Sequence, residues 1–211
     1  MADSLTIAIS KGRILDEALP LLARAGVRPT DDPKTTRKLL LATNLAHVTM
    51  LVIRAQDVPT FVQYGAADVG IAGKDVLLEH AGDTLYEPLD LKIGCCRLVV
   101  AEREHGVGGQ SRLRVATKYI NTTNRHFARR GIQAEIIHLS GSMELAPLTG
   151  LADQIVDLVD TGATLSANGL VEREKIADIS SRLVVNRASM KMKHAAVAEL
   201  IARLQDAVAE G

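Results

Sequence analysis

Short apolar runs alternate along this chain with stretches in which apolar residues return every three or four positions. Leu5-Thr6-Ile7-Ala8-Ile9 opens as a strand, and Ser10-Lys11-Gly12-Arg13 follows as a short polar loop. Ile14, Leu15, Ala18, Leu19, Leu22 and Ala23 then mark one helix face, stopped at Gly26, a favourable residue for ending a helix. Residues 28–38 are polar and hold Pro29 and Pro33, which predicts a loop. The runs 39–42 and 48–53, either side of Asn44, predict a hairpin. Asp57 is placed to cap a helix through about Tyr64, 67–72 reads as a buried strand, and Asp75 is placed to cap a helix over 76–80.

The texture changes around 85–91. Beyond it, 93–101 reads as a long strand followed by a Gly-rich turn at Gly106–Gly109. Strands are predicted at 113–117, 134–139 and 154–159, with a last one closing at 184–186. Helices are predicted over 119–130, stopped by Gly131, from Ser142, and from Thr164. Ala195, Val197, Leu200, Ile201, Leu204 and Val208 form a final helical stripe, within a helix placed at Lys191–Ala209. Runs this apolar suit strands covered on both faces, so the pattern predicts an α/β protein with mostly parallel sheets flanked by helices. The strands outnumber what one compact sheet of this length uses. Two small α/β lobes with a cleft between them are expected, with ligands held in loops at the C-terminal ends of strands.

Composition narrows the classes of function. Hydrophobic residues are 47% and charged residues 24%, which excludes a mainly disordered chain. Lys plus Arg and Asp plus Glu are both 25, so the net charge is zero. That argues against general binding to nucleic acid or to an anionic membrane, both of which need clustered positive charge. Aromatic residues are 2%, with no Trp, which argues against stacking on single strands. Cys95 and Cys96 are adjacent within an apolar run and read as buried strand thiols rather than a metal or disulfide framework. His47, His80, His105, His126, His138 and His194 show no metal-ligand spacing. Met1-Ala2-Asp3-Ser4 does not open a signal peptide and no run is long enough to span a bilayer, so a cytoplasmic protein is expected.

The strongest chemical signal is Asp157-Leu158-Val159-Asp160-Thr161-Gly162-Ala163-Thr164-Leu165. An apolar strand delivers two acids three apart, then a Thr-Gly-x-Thr turn, then a helix start. Such a turn offers backbone N–H groups, Gly162 permits close approach of an anion, and Thr161 and Thr164 add hydroxyl donors. Asp157 and Asp160 are placed to accept hydrogen bonds from ribose hydroxyls. Phosphate donors beside carboxylate acceptors suit a phosphorylated sugar. Taken alone, the turn reads better as an N-capped helix with Asp160 and Thr164 as caps; the apolar strand and paired acids tip the reading to the site.

Ser10-Lys11-Gly12-Arg13 is the second signal, a strand-to-helix loop with two cations and a glycine. Arg54 follows another strand end, so Lys11, Arg13 and Arg54 are expected to converge on a polyphosphate. Gly73-Lys74 resembles a nucleotide-binding P-loop only superficially, because Asp75 stands where Ser or Thr is needed and the glycine spacing fails. Ser140-Gly141-Ser142-x-Glu144 fits a capping arrangement and an anion site equally well. No serine elbow or activated cysteine is visible, so covalent catalysis lacks a nucleophile.

These residues together resemble the short-form ATP phosphoribosyltransferases, which catalyse the first step of histidine biosynthesis. The resemblance rests on Ile9-Ser10-Lys11-Gly12-Arg13, on Gly65 through Gly73, on Ala116-Thr117-Lys118-Tyr119, on Leu139 through Pro147, on Asp157 through Leu165 and on Asn186-Arg187-Ala188-Ser189. Ile120 departs from it, standing where the family pattern has proline. The resemblance implies a bilobal fold like that of periplasmic binding proteins. Lobe I would span 1–90 and 181–211 on the ATP side, and lobe II 91–180 with the phosphoribosyl pyrophosphate loop. It implies ATP contacts at Lys11, Gly12, Arg13, Arg54, Gly73 and Ser142, with Lys11, Arg13 and Arg54 catalytic. The sugar donor would be held by Asp157, Asp160, Thr161, Gly162, Ala163, Thr164 and Leu165.

The resemblance further implies a Mg²⁺ requirement and attack of adenine N1 on the anomeric carbon as pyrophosphate leaves. Lobe closure would keep water out. It implies a homodimer alone, and a hetero-oligomer, in hetero-octamer form, with a regulatory subunit similar to histidyl-tRNA synthetase. The competing classes are a solute-binding module of the same shape and a nucleobase phosphoribosyltransferase using the same loop.

Overall fold

The computed structural model describes residues 4–80, 84–104 and 112–210. The Gly106–Gly109 turn, His105 and the first three residues lie outside the described residues. The chain divides into two compact units: Met1–Gly94 with Ser180–Gly211, and Cys95–Ile179.

The first part of unit 1 runs β1 (Leu5–Ser10), α1 (Arg13–Arg24), β2 (Leu40–Ala42), β3 (Val48–Ile53), a 3₁₀ turn at Ala55–Asp57, α2 (Val58–Gln63), β4 (Val69–Gly73), α3 (Lys74–Glu79) and β5 (Leu85–Asp90). Unit 2 follows as β6 (Cys96–Arg103), β7 (Leu113–Thr117), α4 (Ile120–Arg129), β8 (Ala134–His138), α5 (Leu145–Leu148), β9 (Gln154–Val159), α6 (Ala163–Ala167) and β10 (Leu170–Ile179). The chain then returns to unit 1 as β11 (Ser181–Asn186), α7 (Arg187–Met192) and α8 (His194–Ala209).

Both sheets are mixed, which corrects the expectation of mostly parallel ones. In unit 1 the order is β2-β3-β1-β4-β11-β5. Only the centre is parallel, with β1 paired to β3 and β4. The hairpin strand β2 and the returning β11 join antiparallel, and β5 pairs antiparallel with β11. In unit 2 the order is β10-β6-β9-β7-β8, parallel across β9, β7 and β8, and antiparallel where β6 and β10 join. Parallel strands need helical crossovers. The added strands are those that turn back by hairpin or carry the chain between units.

Side chains alternate across the unit 1 sheet. Ile7 and Ile9 of β1 pack with Leu15, Leu22, Val197, Leu200 and Leu204 of α1 and α8, while Ala8 faces Val58 and Val62 of α2. In unit 2, Val99, Ala116, Ile155 and Val159 pack with Met143, Ala146 and Leu165.

The strand expected at 93–101 begins only at Cys96, because Gly94 turns the backbone with a φ of 60°. Cys95 is therefore exposed and Cys96 only partly covered, not the buried pair expected. The strand β10 has no sequence signal: Leu170–Ile179 is rich in charge and forms a sheet edge that pairs on one side only. The strand β5 is likewise an edge and carries Pro88 where its register shifts. Asp75 lies inside α3, whose N-cap is Gly73, and Asp57 flanks α2 without a side-chain capping bond. The helix placed at Lys191–Ala209 is two helices, broken at Lys193, and Ala195 of its stripe is exposed. No helix among the described residues is long and apolar enough to cross a membrane.

Candidate functional site

In unit 2, the central strand β9 carries Asp157 near its C-terminal end and releases the chain into the loop at Asp160. Residues 157–165 line a concavity of about 210 Å³, with Glu144 on its wall. Gly162 is the N-cap of α6 and has φ 86°, ψ 0°, a left-handed conformation that favours glycine. The N-cap position of α6 is held by this glycine, not by Asp160 or Thr164, the alternative reading of the turn. The Ala163 N–H donates to Thr161 Oγ1 at 3.3 Å, a long bond that an arriving anion can displace. Asp157 Oδ1 accepts from the Leu158 N–H at 2.8 Å, which steadies the carboxylate on its own strand.

Sequence reasoning missed Arg97. It stands on β6 opposite Val159, donates from Nη1 to the Asp160 carbonyl oxygen at 2.7 Å and from Nε to Glu172 Oε2 at 2.8 Å. Its other nitrogen lies 3.9 Å from where a Cβ on Gly162 would sit. The signal was an arginine inside an otherwise apolar run, sixty-odd residues before the loop that it braces. Ser142 is exposed, with a φ of 52° that is uncommon for a residue other than glycine. Its carbonyl accepts the Leu145 N–H at 3.2 Å, so α5 starts at Leu145 rather than Ser142.

In unit 1, the parallel register Ser10↔Ile53 brings the ends of β1 and β3 together, and the Lys11 N–H donates to the Ile53 carbonyl at 2.9 Å. Lys11 and Arg54 therefore leave the sheet side by side. The parallel pairing of β4 with β1 puts Gly73 on the same edge. Lys11, Gly12, Arg13 and Arg54 are all exposed. Gly12 is the N-cap of α1 and brings no side-chain cap, so the first amides of this twelve-residue helix point into the loop with its positive end. Ser10 is fully buried, and its hydroxyl has no hydrogen-bond partner. Gly73 packs tightly, since a Cβ there would fall 2.2 Å from Asp75 Oδ1. Arg13 Nε donates to Glu17 Oε1 at 2.7 Å. That bond, and after it a bond from the Gly94 N–H, hold the Glu17 carboxyl below its ordinary range.

Thus Lys11, Gly12, Arg13, Arg54 and Gly73 share one edge of the unit 1 sheet. Ser142 and the 157–165 loop belong to unit 2. One unit presents cations and a helix N-terminus; the other presents a glycine turn that follows two carboxylates. Both can hold phosphate, and the second can also accept from sugar hydroxyls. Among the described residues no group of three or more His, Cys, Asp or Glu is arranged to hold a metal ion.

Residues 54–206 match the family model described as HisG, ATP phosphoribosyltransferase. A protein named ATP phosphoribosyltransferase from Nitrosococcus oceani is 62% identical over 208 residues, covering 99% of this chain and 98% of its own length. One of the same name from Methylococcus capsulatus is 64% identical over 200 residues, covering 95% and 94%. Among solved structures, the ATP phosphoribosyl transferase (HisG:HisZ) complex from Thermotoga maritima matches with a TM-score of 0.86 at 34% identity, over 98% of this chain and 100% of that one. The periplasmic aliphatic sulphonate binding protein SsuA from Escherichia coli matches with a TM-score of 0.61 at 16% identity, over 99% of this chain and 70% of that one, a likeness of fold alone.

Proposed function

The chain belongs to the ATP phosphoribosyltransferase family, and on that premise we propose that it is the catalytic subunit that joins adenine N1 of ATP to phosphoribosyl pyrophosphate, releasing pyrophosphate in the first step of histidine biosynthesis. The match over nearly the whole chain is the observation that carries this reading.

Each candidate residue then takes a role. The amides and hydroxyls of Thr161, Gly162, Ala163, Thr164 and Leu165 hold the 5′-phosphate of the sugar donor. Asp157 and Asp160 accept from its ribose hydroxyls. Lys11, Gly12, Arg13, Arg54 and Gly73, with Ser142, hold ATP, and the three cations stabilise negative charge on its phosphates and on the leaving pyrophosphate. The reaction passes through an oxocarbenium-like transition state. It needs positioning and charge stabilisation more than a protein nucleophile.

A dedicated metal cage does not exist among the described side chains. A Mg²⁺ held largely by phosphate oxygens and water requires only one or two carboxylates, and Asp157 and Asp160 are the pair beside the phosphate loop. Neutralising the departing pyrophosphate is the chemistry such an ion supplies when bound.

The Thermotoga maritima relative is a HisG:HisZ complex. We extend that assembly to this chain as a synthetase-like regulatory partner in a hetero-octamer, with the catalytic chain alone a homodimer, working in the cytoplasm.

The test is pyrophosphate release from phosphoribosyl pyrophosphate with ATP, adenine, guanine or uracil as acceptor. Release with ATP alone is expected. Faster release with a free base would overturn the reading in favour of a nucleobase transferase.

A further inference from the structure

Glu17, in the second turn of α1, holds two distant parts of unit 1 at once. Its Oε1 accepts from Arg13 Nε at 2.7 Å, and its Oε2 accepts from the Gly94 backbone N–H at 2.6 Å. The first contact spans four residues of one helix and by itself is an ordinary surface pair of small worth. The second reaches a residue 77 positions along the chain. Gly94 is the last residue before the chain leaves unit 1.

The crossing at Gly94 is closely defined on the unit 1 side. Leu91 N–H donates to the Ser181 carbonyl at 2.9 Å, and Ser181 N–H donates to the Ile93 carbonyl at 2.8 Å, so the outgoing and returning segments are bonded to each other. Gly94 then turns with φ 60°, and a Cβ there would lie 3.1 Å from Ser181 Oγ and 3.7 Å from Ile14 of α1. A carboxylate is a rigid plane. With one oxygen on the guanidinium and the other on the turn, neither contact can shift without moving its neighbour.

We propose that Glu17 is a positioning residue that orients the Arg13 guanidinium for a substrate phosphate and couples it to the chain crossing at Gly94. This rests on the reading of Arg13 as a phosphate-binding residue. Bonding at Nε fixes the plane of the guanidinium, and that plane decides where its remaining donors point. A phosphate seated on Arg13 therefore pulls on Glu17, and through Glu17 on the turn that begins the passage to β6.

The experiment uses the enzyme assembled with its regulatory partner, in wild-type, Glu17→Gln, Glu17→Ala, Arg13→Ala and Arg13→Ala/Glu17→Gln forms. Glu17→Gln keeps an acceptor for the Gly94 N–H but loses the charged pairing to Arg13. It is expected to raise KM for ATP about tenfold, with kcat within about threefold and Tm within about 2 °C, and to add nothing further in the Arg13→Ala background. ATP is expected to slow hydrogen exchange of the Gly94 amide in the wild type and to leave it unchanged in Glu17→Ala. Additive effects of Arg13→Ala and Glu17→Gln on KM, or exchange at Gly94 that ignores ATP in the wild type, would overturn the proposal. A wild-type KM in Arg13→Ala would instead overturn the phosphate role of Arg13, and the proposal with it. Should Glu17→Ala fail to fold, the Glu17→Gln kinetics and the wild-type exchange decide alone.

Discussion

Arg97 and Asp160 are joined across the β6–β9 ladder: Nη1 of the arginine donates to the backbone carbonyl oxygen of the aspartate at 2.7 Å. Glu172 holds the same guanidinium from the neighbouring strand β10 at 2.8 Å. The loop that follows Asp160 is thus braced from outside its own segment, before any ligand arrives.

Removing that brace should loosen the loop without unfolding unit 2. Arg97→Ala is expected to raise KM for phosphoribosyl pyrophosphate about tenfold, in line with the ~1.5–3 kcal/mol of a hydrogen bond from a charged group. Arg97→Lys should recover only part, because one ammonium cannot replace a planar fork spanning two acceptors. Steady-state kinetics with varied donor concentration checks this, and an unchanged KM in a folded Arg97→Ala would show that the loop keeps its shape unaided.

Gly162→Val tests the loop itself. A β-branched residue at φ 86° costs roughly 1–2 kcal/mol in backbone strain, and its side chain enters the space an anion would approach. Donor binding measured by calorimetry should fall at least tenfold, with Tm lowered by a few degrees. Asp157→Asn and Asp160→Asn should lower kcat/KM for the donor while leaving stability nearly unchanged.

Arg54 is exposed, has an extended backbone and flanks the 3₁₀ turn, so it contributes little packing. Arg54→Ala should reduce turnover tenfold or more and leave the melting temperature within about 2 °C. Equal losses of activity and stability would assign it a structural role.

Asp90 sets an acid limit on unit 1. Burial works to raise its carboxyl, but hydrogen bonds from the Lys92 side chain, the Ser180 hydroxyl and the Lys92 backbone, together with the Arg182 charge, bring it down to about 2. A carboxyl whose folded value is depressed gives its full stabilisation above its unfolded value near 3.8 and loses it as pH falls toward 2. The contribution is roughly 2 kcal/mol. Asp90→Asn should therefore lower stability in urea melts at pH 6 and narrow to little difference near pH 2. A gap that persists there would count against the carboxylate as its source.

Regulation should depend on the partner. The chain by itself is expected to be a homodimer of low activity, insensitive to histidine, and addition of the HisZ-like subunit should raise turnover and bring inhibition together. A histidine titration with and without that subunit checks this. Strong inhibition of the catalytic chain alone would place the effector site here instead.

The two candidate loops were more legible along the chain than the edges of the sheets. The Thr161–Thr164 turn and the Ser10–Arg13 loop each announce themselves within a few contiguous residues, because glycine, cations and hydroxyls at a strand end have a local meaning. The central strands β1, β4 and β9 were legible because burial on both faces demands apolar runs. Leu170–Ile179 was not: an edge strand bonds through its backbone, so Glu172, Arg173 and Lys175 can serve ion pairs on the surface instead of an apolar period. Arg97, Glu17 and Gly94 were equally silent, since their partners are 63 and 77 residues distant in sequence, and no local pattern records such a contact.

The position of β11 between β4 and β5 has a consequence for how the protein is made. During synthesis β5 emerges ninety residues before β11, the strand that must lie beside it, and nothing bonds β5 to β4 in the meantime. All of the strands and helices of unit 2 leave the ribosome within that interval, as one uninterrupted segment. The insertion can therefore organise first, while the surrounding sheet waits for its sixth strand. A pause or break in translation before residue 181 leaves the loop after β1 on four of the six strands, its helix α1 without the covering surface of α8. Completion of unit 1 thus waits on β11, α7 and α8, although none of their residues is proposed to touch a substrate.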